Sequence, residues 1–179
     1  MKIYLVGFMG SGKTVVGSAL AKRVHLPFFD LDDLVESSEG MSIREVFAER
    51  GEPRFRQRER EILRTTQHVE NGVIATGGGT FTFEDNIQFV LAHGISIHLA
   101  APFSQLAVRI AKTAAERPMF RDEDSLRELY EYRLRYYKMA DVTLDVHENE
   151  SVEDIVERLV AELPKDFLSQ LSRQSSTNS

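Results

Sequence analysis

Cysteine is missing from all 179 residues of this chain. Disulfides and thiolate metal sites are thereby excluded, and a reducing compartment fits. Long apolar runs are missing as well. No stretch approaches the roughly 20 apolar residues of a membrane-spanning helix, and the run after Met1-Lys2 is broken at Gly7, too soon for a secretory signal. Surplus positive charge is also lacking: 22 Lys and Arg face 28 Asp and Glu, for a net charge of −6. That balance argues against a general nucleic-acid or membrane binder. The five histidines show no ligand spacing such as H-E-x-x-H. His98, inside an apolar run, reads as a satisfied core or strand-end residue. No G-x-S-x-G and no Ser/His/Asp order is present. With 42% hydrophobic and 28% charged residues the chain reads as globular, of a length that suits a single domain with a proper core. A cytoplasmic monomer is the expectation.

The most informative stretch that is present is Gly7-Phe8-Met9-Gly10-Ser11-Gly12-Lys13-Thr14, which matches the phosphate-loop pattern G-x-x-x-x-G-K-[ST]. Its surroundings agree. Ile3 to Val6 is a short apolar run of strand composition, and Val16, Leu20 and Val24 follow at helical spacing. A glycine-rich turn between strand and helix lets backbone N–H groups wrap an anion at the positive end of the helix. Lys13 is then within reach of the β- and γ-phosphates, and the Thr14 hydroxyl suits Mg²⁺.

Apolar strand-like runs alternate with helical patterns along the rest of the chain, which predicts a parallel sheet. Strands are expected at 25–29, 73–75, 95–99 and 142–146. Ser42-x-x-Glu45 is a capping box opening a helix that Gly51 ends, and Pro53 lies near the start of a longer charged helix. Further helices are expected through Ile87 to Leu91, over 103–112, from about Ser125 to Met139, and after Ser151-x-x-Asp154. Residues 113–124 read as a polar surface loop, and 169–179 as a disordered polar tail. Three layers, with helices on both faces of one sheet, are predicted.

In such sheets ligands bind beyond the carboxyl ends of the strands. Asp30-Leu31-Asp32-Asp33 falls there. One of its aspartates can be a helix N-cap. Alternatively, Asp30 and Asp32, two apart in extended chain, share one face and look into the cleft, one toward a metal and one toward an acceptor hydroxyl. Asp33 is read as helix capping. Thr76-Gly77-Gly78-Gly79 follows a strand, and three glycines there point to close approach of a ligand to bare backbone. The run Arg54 to Glu61 alternates in charge and reads mostly as a solvated helix face, with one arginine suited to a carboxylate. Arg117, in the polar loop, suits a mobile cationic arm over a phosphoryl group. The tyrosine-rich segment 130–137 reads as packing rather than nucleic-acid stacking.

These motifs, in this order, resemble the shikimate kinase family over about residues 1–163. The resemblance rests on the phosphate loop, Asp30-Leu31-Asp32, Phe55-Arg56-x-x-Glu59, Thr76-Gly77-Gly78-Gly79 and Arg117-Pro118. It implies a three-layer α/β/α P-loop fold with a five-stranded parallel sheet in the order 2-3-1-4-5. It implies transfer of the ATP γ-phosphoryl to the 3-hydroxyl of shikimate, a step toward chorismate and the aromatic amino acids. ATP would be held by Gly10, Ser11, Gly12, Lys13, Thr14 and Val15, with Arg109 stacking on adenine. Lys13 would stabilise the migrating phosphoryl group, Thr14 would ligate Mg²⁺, and Asp30 would hold its water shell. Asp32 would bind the acceptor and serve as base. Arg56, oriented by Glu59, would grip the carboxylate beside Gly78 and Gly79, and Arg117 would close over ATP from a lid at about 112–124. The family's second carboxylate-binding arginine lies four residues before a tyrosine and eight before an alanine. Here Arg133 is four before Tyr137 but seven before Ala140, so Arg133 is expected and Arg135 is the alternative. The lid reads Met119-Phe120 where leucines are usual. Two rival readings are a kinase for another small hydroxy acid such as gluconate, and a non-catalytic nucleotide-binding module. Against the latter, Lys13, Thr14, Asp30, Asp32 and Arg117 are all present.

Overall fold

A computed structural model describes residues 1–112 and 122–164. Five strands form one parallel sheet: β1 (Lys2–Val6), β2 (Phe28–Asp30), β3 (Gly72–Ala75), β4 (Ile95–Ala100) and β5 (Val142–Asp145), in the order β2-β3-β1-β4-β5. The implied order 2-3-1-4-5 is thus observed. β1 is central and every residue of it is buried, as its unbroken apolar run requires of a strand covered on both faces. Leu5 faces α1 (Lys13–Arg23), whose Gly17 lies close to it. Tyr4, pointing to the opposite face, hydrogen-bonds Thr66 at 2.8 Å and approaches Gly94.

The second strand begins at Phe28 rather than His25. His25 is left-handed, with φ of 56°, and the N–H groups of Val24 and Leu26 bond back to carbonyls of α1, so these residues close a helix instead of extending. The sequence Asp30 to Asp33 also differs from the expectation. Only Asp30 is extended; it is the N-cap of α2 (Leu31–Glu39), accepting from the Asp32 N–H at 3.0 Å. Asp32 and Asp33 are already in the first helical turn, and the cap is Asp30, not Asp33.

Ser42 and Glu45 form the capping box that opens α3 (Ile43–Thr65). Gly51, with φ of 78°, breaks α3 in two, as its position before Pro53 suggested. The charged run that follows is a solvated face only in part: Gln57, Arg60 and Glu61 are exposed, while Arg54, Arg56, Arg58 and Arg64 are half-buried. Arg54 and Arg58 converge on Glu39 of α2, whose carboxylate is 1% exposed, while Arg60 and Arg64 reach Asp85 at the start of α4 (Glu84–His93). Charge alternation here fastens three helices together. α5 (Phe103–Lys112), α6 (Glu123–Tyr137) and α7 (Val152–Glu162) complete the described fold. Asp122 caps α6, which starts two residues ahead of the expected Ser125, and Ser151 caps α7. Residues 113–121, with Arg117 and most of the lid, and the tail beyond 164 lie outside the described residues.

Candidate active site

The phosphate loop leaves a helix N-terminus open. Gly10 and Gly12 have φ of 77° and 96°, so side chains there would be strained, and their glycines allow the turn. α1 begins at Lys13 with no side-chain cap and no acidic residue in its first turn. By contrast, α2, α3, α6 and α7 each carry a side-chain cap and acidic first-turn residues. An uncapped N-terminus presents unshared N–H donors and partial positive charge, which suits an anion. Ser11 adds a buried hydroxyl without a partner among the described residues. The Lys13 ammonium is folded into the loop, donating to the Gly7 and Phe8 carbonyls at 2.8 and 2.9 Å. The Thr14 hydroxyl donates to Asp30 Oδ2 at 2.7 Å. A cavity of about 460 Å³ opens over these groups, lined also by Val15, Asp32, Gly78, Arg109 and Glu150.

At the Gly78 side of this cavity the three glycines meet four functional side chains. A Cβ on Gly77 would overlap Glu59 Oε1 and stand 2.9 Å from Asp32 Oδ1. One on Gly79 would stand 2.6 Å from Arg56 Nη1, and one on Gly78 would stand 3.6 Å from Arg133 Nη1. Side chains are crowded out at Gly77 and Gly79 by the protein's own carboxylates and guanidinium, and at Gly78 by the Met9 backbone nitrogen, 3.2 Å from where a Cβ would stand. Glu59, 1% exposed, holds Arg56 at 2.9 Å and accepts the Thr80 hydroxyl at 2.6 Å. Burial, then the neighbouring Arg56 charge, lower the pKa of Arg133. Two partly desolvated guanidiniums beside one carboxylate-bearing wall form a site that an acidic ligand would complete.

Phosphate cradle and guanidinium pair are therefore contiguous, joined at Gly78. A profile described as shikimate kinase matches residues 9–164. The shikimate kinase of Aquifex aeolicus is 37% identical over 169 residues, covering 94% of this chain and 99% of that protein. The chain belongs to the shikimate kinase family. The solved shikimate kinase from Acinetobacter baumannii in complex with shikimate superposes with a TM-score of 0.83 at 32% identity, covering 89% and 90% of the two chains. A gluconokinase from Sinorhizobium meliloti reaches 0.50 at 17% identity, a likeness of fold alone.

The structure brings most of the family-derived residues together. Asp30 and Asp32 both line the cavity, though through a strand end and a helix start rather than two extended residues on one face. Arg109 donates to the Gly10 carbonyl at 3.1 Å at the far end of the cavity. Of the two arginine candidates, Arg133 lies by Gly78, whereas Arg135 is exposed, donating to the Tyr132 carbonyl and stacking on Tyr132 and Tyr136. The tyrosine segment divides: Tyr130 packs edge-on to Phe8, Tyr137 is fully buried, and Tyr132 stays exposed. Sequence reasoning missed Glu150, Val152 and Ile155, which line the cavity from the start of α7. The apolar spacing of Val152 and Ile155 marks a core stripe, Glu150 carries no local signal, and only the packing of α7 beside α1 brings that stripe's edge to the nucleotide loop.

His98 departs from the expectation of a satisfied residue. Its ring packs tilted against Tyr137, centroids 5.2 Å apart, and its Nδ1 has no partner among the described residues. Burial, and then the Lys13 charge, push its pKa down to about 4. The unfolded chain, with His near its usual 6.5, binds this proton more readily, so acid favours unfolding. Stability should be full above about pH 6.5 and fall toward pH 4, by no more than about 1.4 kcal/mol per unit from this group. Urea titrations across that range should show His98→Gln removing part of the slope. An unchanged slope would mean His98 titrates normally in the fold.

Proposed function

We infer that the chain transfers the γ-phosphoryl group of ATP to the 3-hydroxyl of shikimate, giving shikimate 3-phosphate and ADP. One observation carries the reading: in a shikimate kinase family member, the cavity over an uncapped glycine-rich helix start reaches Gly78, in a glycine run against which Asp32, Arg56 and Arg133 lie. The acceptor hydroxyl oxygen attacks the γ-phosphorus, and the bond from that phosphorus to the β–γ bridging oxygen breaks. Asp32 takes the hydroxyl proton or aligns it. Lys13, released from the Gly7 and Phe8 carbonyls, follows the charge onto the migrating group. Arg56, kept in place by Glu59, and Arg133 pair with the carboxylate, while Gly78 and Gly79 offer backbone donors. Arg109 lies against the base, and Arg117 closes over the phosphates.

Thr14 and Asp30 are oxygen donors of the kind Mg²⁺ prefers, and they are the residues that would hold it, Thr14 directly and Asp30 through its water shell. Mg²⁺ held there would neutralise charge on the phosphate oxygens. Among the described residues no helix is long and apolar enough to cross a membrane. A cytoplasmic monomer, where ATP is supplied, completes the reading, and light scattering tests the monomer.

ADP release with Mg-ATP and a panel of acceptors tests the whole. Turnover is expected with shikimate and not with gluconate or with water alone. Gluconate-dependent release, or release that ignores the acceptor, would overturn the assignment.

A further inference from the structure

Tyr137 has no part in the roles above, yet it touches two of their components. It ends α6 and is fully buried. Its hydroxyl donates to the Gly78 carbonyl, and the guanidinium of Arg133, one turn earlier on the helix, lies against the same glycine within electrostatic reach of that oxygen. Burial raises the phenol pKa, so the proton stays on this oxygen and is directed at Gly78, leaving a lone pair open toward Arg133. The ring itself is held against His98. Arg133 needs such a holder. It is a long side chain with much rotamer freedom to lose, and Arg56 lies close enough to repel it. Arg56 is restrained by Glu52 and Glu59; among the described residues no carboxylate pairs with Arg133 in that way, and beside it stand the Phe8 ring and the neutral Tyr137 hydroxyl, anchored to the glycine backbone.

We propose that Tyr137 is a positioning residue that ties Arg133 to the Gly78 carbonyl and so aims its guanidinium at the acceptor's carboxylate. The proposal rests on Arg133 being a ligand of that carboxylate.

Tyr137→Phe keeps the ring and removes only the link. It should raise the KM for shikimate about tenfold, the scale of one hydrogen bond to a charged group, while kcat and the KM for ATP stay within about twofold. Arg133→Ala should raise the same KM at least as much, and adding Tyr137→Phe to it should change little more, because the hydroxyl acts through the arginine. A loss in kcat alone, equal rises in both KM values, or effects that add in the double variant would overturn the proposal while leaving Arg133 in its role. An unchanged KM in Arg133→Ala would remove the carboxylate contact and the proposal with it. A second measurement needs no variant. With 13Cζ-labelled tyrosine, the Tyr137 resonance should shift when shikimate is added and hold still with Mg-ADP alone; a resonance that ignores shikimate overturns the proposal.

Discussion

Asp32→Asn should lower kcat by about 10²–10⁴-fold and leave the Kd for Mg-ATP within about twofold, the range expected for loss of a general base. The fold gives the substitution a clean reading. The Asp32 main-chain N–H, not its carboxylate, is what the Asp30 cap uses, so α2 keeps its start. Asparagine preserves shape and one acceptor oxygen, yet has no carboxylate charge with which to draw off the proton. Steady-state ADP release gives kcat, and calorimetric titration gives ATP affinity. Activity close to that of the parent would remove Asp32 as the base and leave it at most a hydroxyl-binding group.

The second large effect is structural in origin. Gly77→Ala should lower stability by about 3 kcal/mol and raise the KM for shikimate by roughly 10–100-fold. The new methyl would occupy the space of Glu59 Oε1 and stand 3.0 Å from the Thr80 hydroxyl. Glu59 Oε1 can yield by giving up the Thr80 hydroxyl, which is fully buried, and a shift of that carboxylate loosens Oε2 from Arg56, held at 2.9 Å. Breaking a buried pair from one side leaves the other charge poorly compensated. At this chain length, that cost corresponds to a fall of about 6–12 °C in Tm. ATP affinity should change little, since Gly77 faces the acceptor side. Unaltered Tm and KM together would show that Glu59 moves aside freely and has no hold over Arg56.

Local patterns in the chain were enough for the five strands, the capping box at Ser42, the N-cap at Ser151, and the phosphate loop. Each depends on neighbours within a few residues, where steric limits and hydrogen bonding leave few options. The same range sets where reasoning from pattern went astray. Asp30 and Asp32 were paired as extended residues, but the cap that Asp30 makes with the Asp32 N–H starts a helix one residue after the strand ends. The arginines from Arg54 to Arg64 alternate with glutamates as a solvated helix does, and nothing local reveals that Glu39 and Asp85 come from other helices to meet them.

Sequence alone determined which chemical groups the site contains, because a phosphate loop, an acidic strand end, a triple glycine and its arginines are each written in adjacent residues. Tertiary structure decided which of them meet: Arg133 rather than Arg135 beside Gly78, Glu59 against Gly77, Tyr137 linking α6 to the loop after β3, and α7 closing the nucleotide end. The reason is range. Helical and strand periodicity says which face of an element is buried, while the identity of what lies opposite depends on packing between segments far apart in the chain.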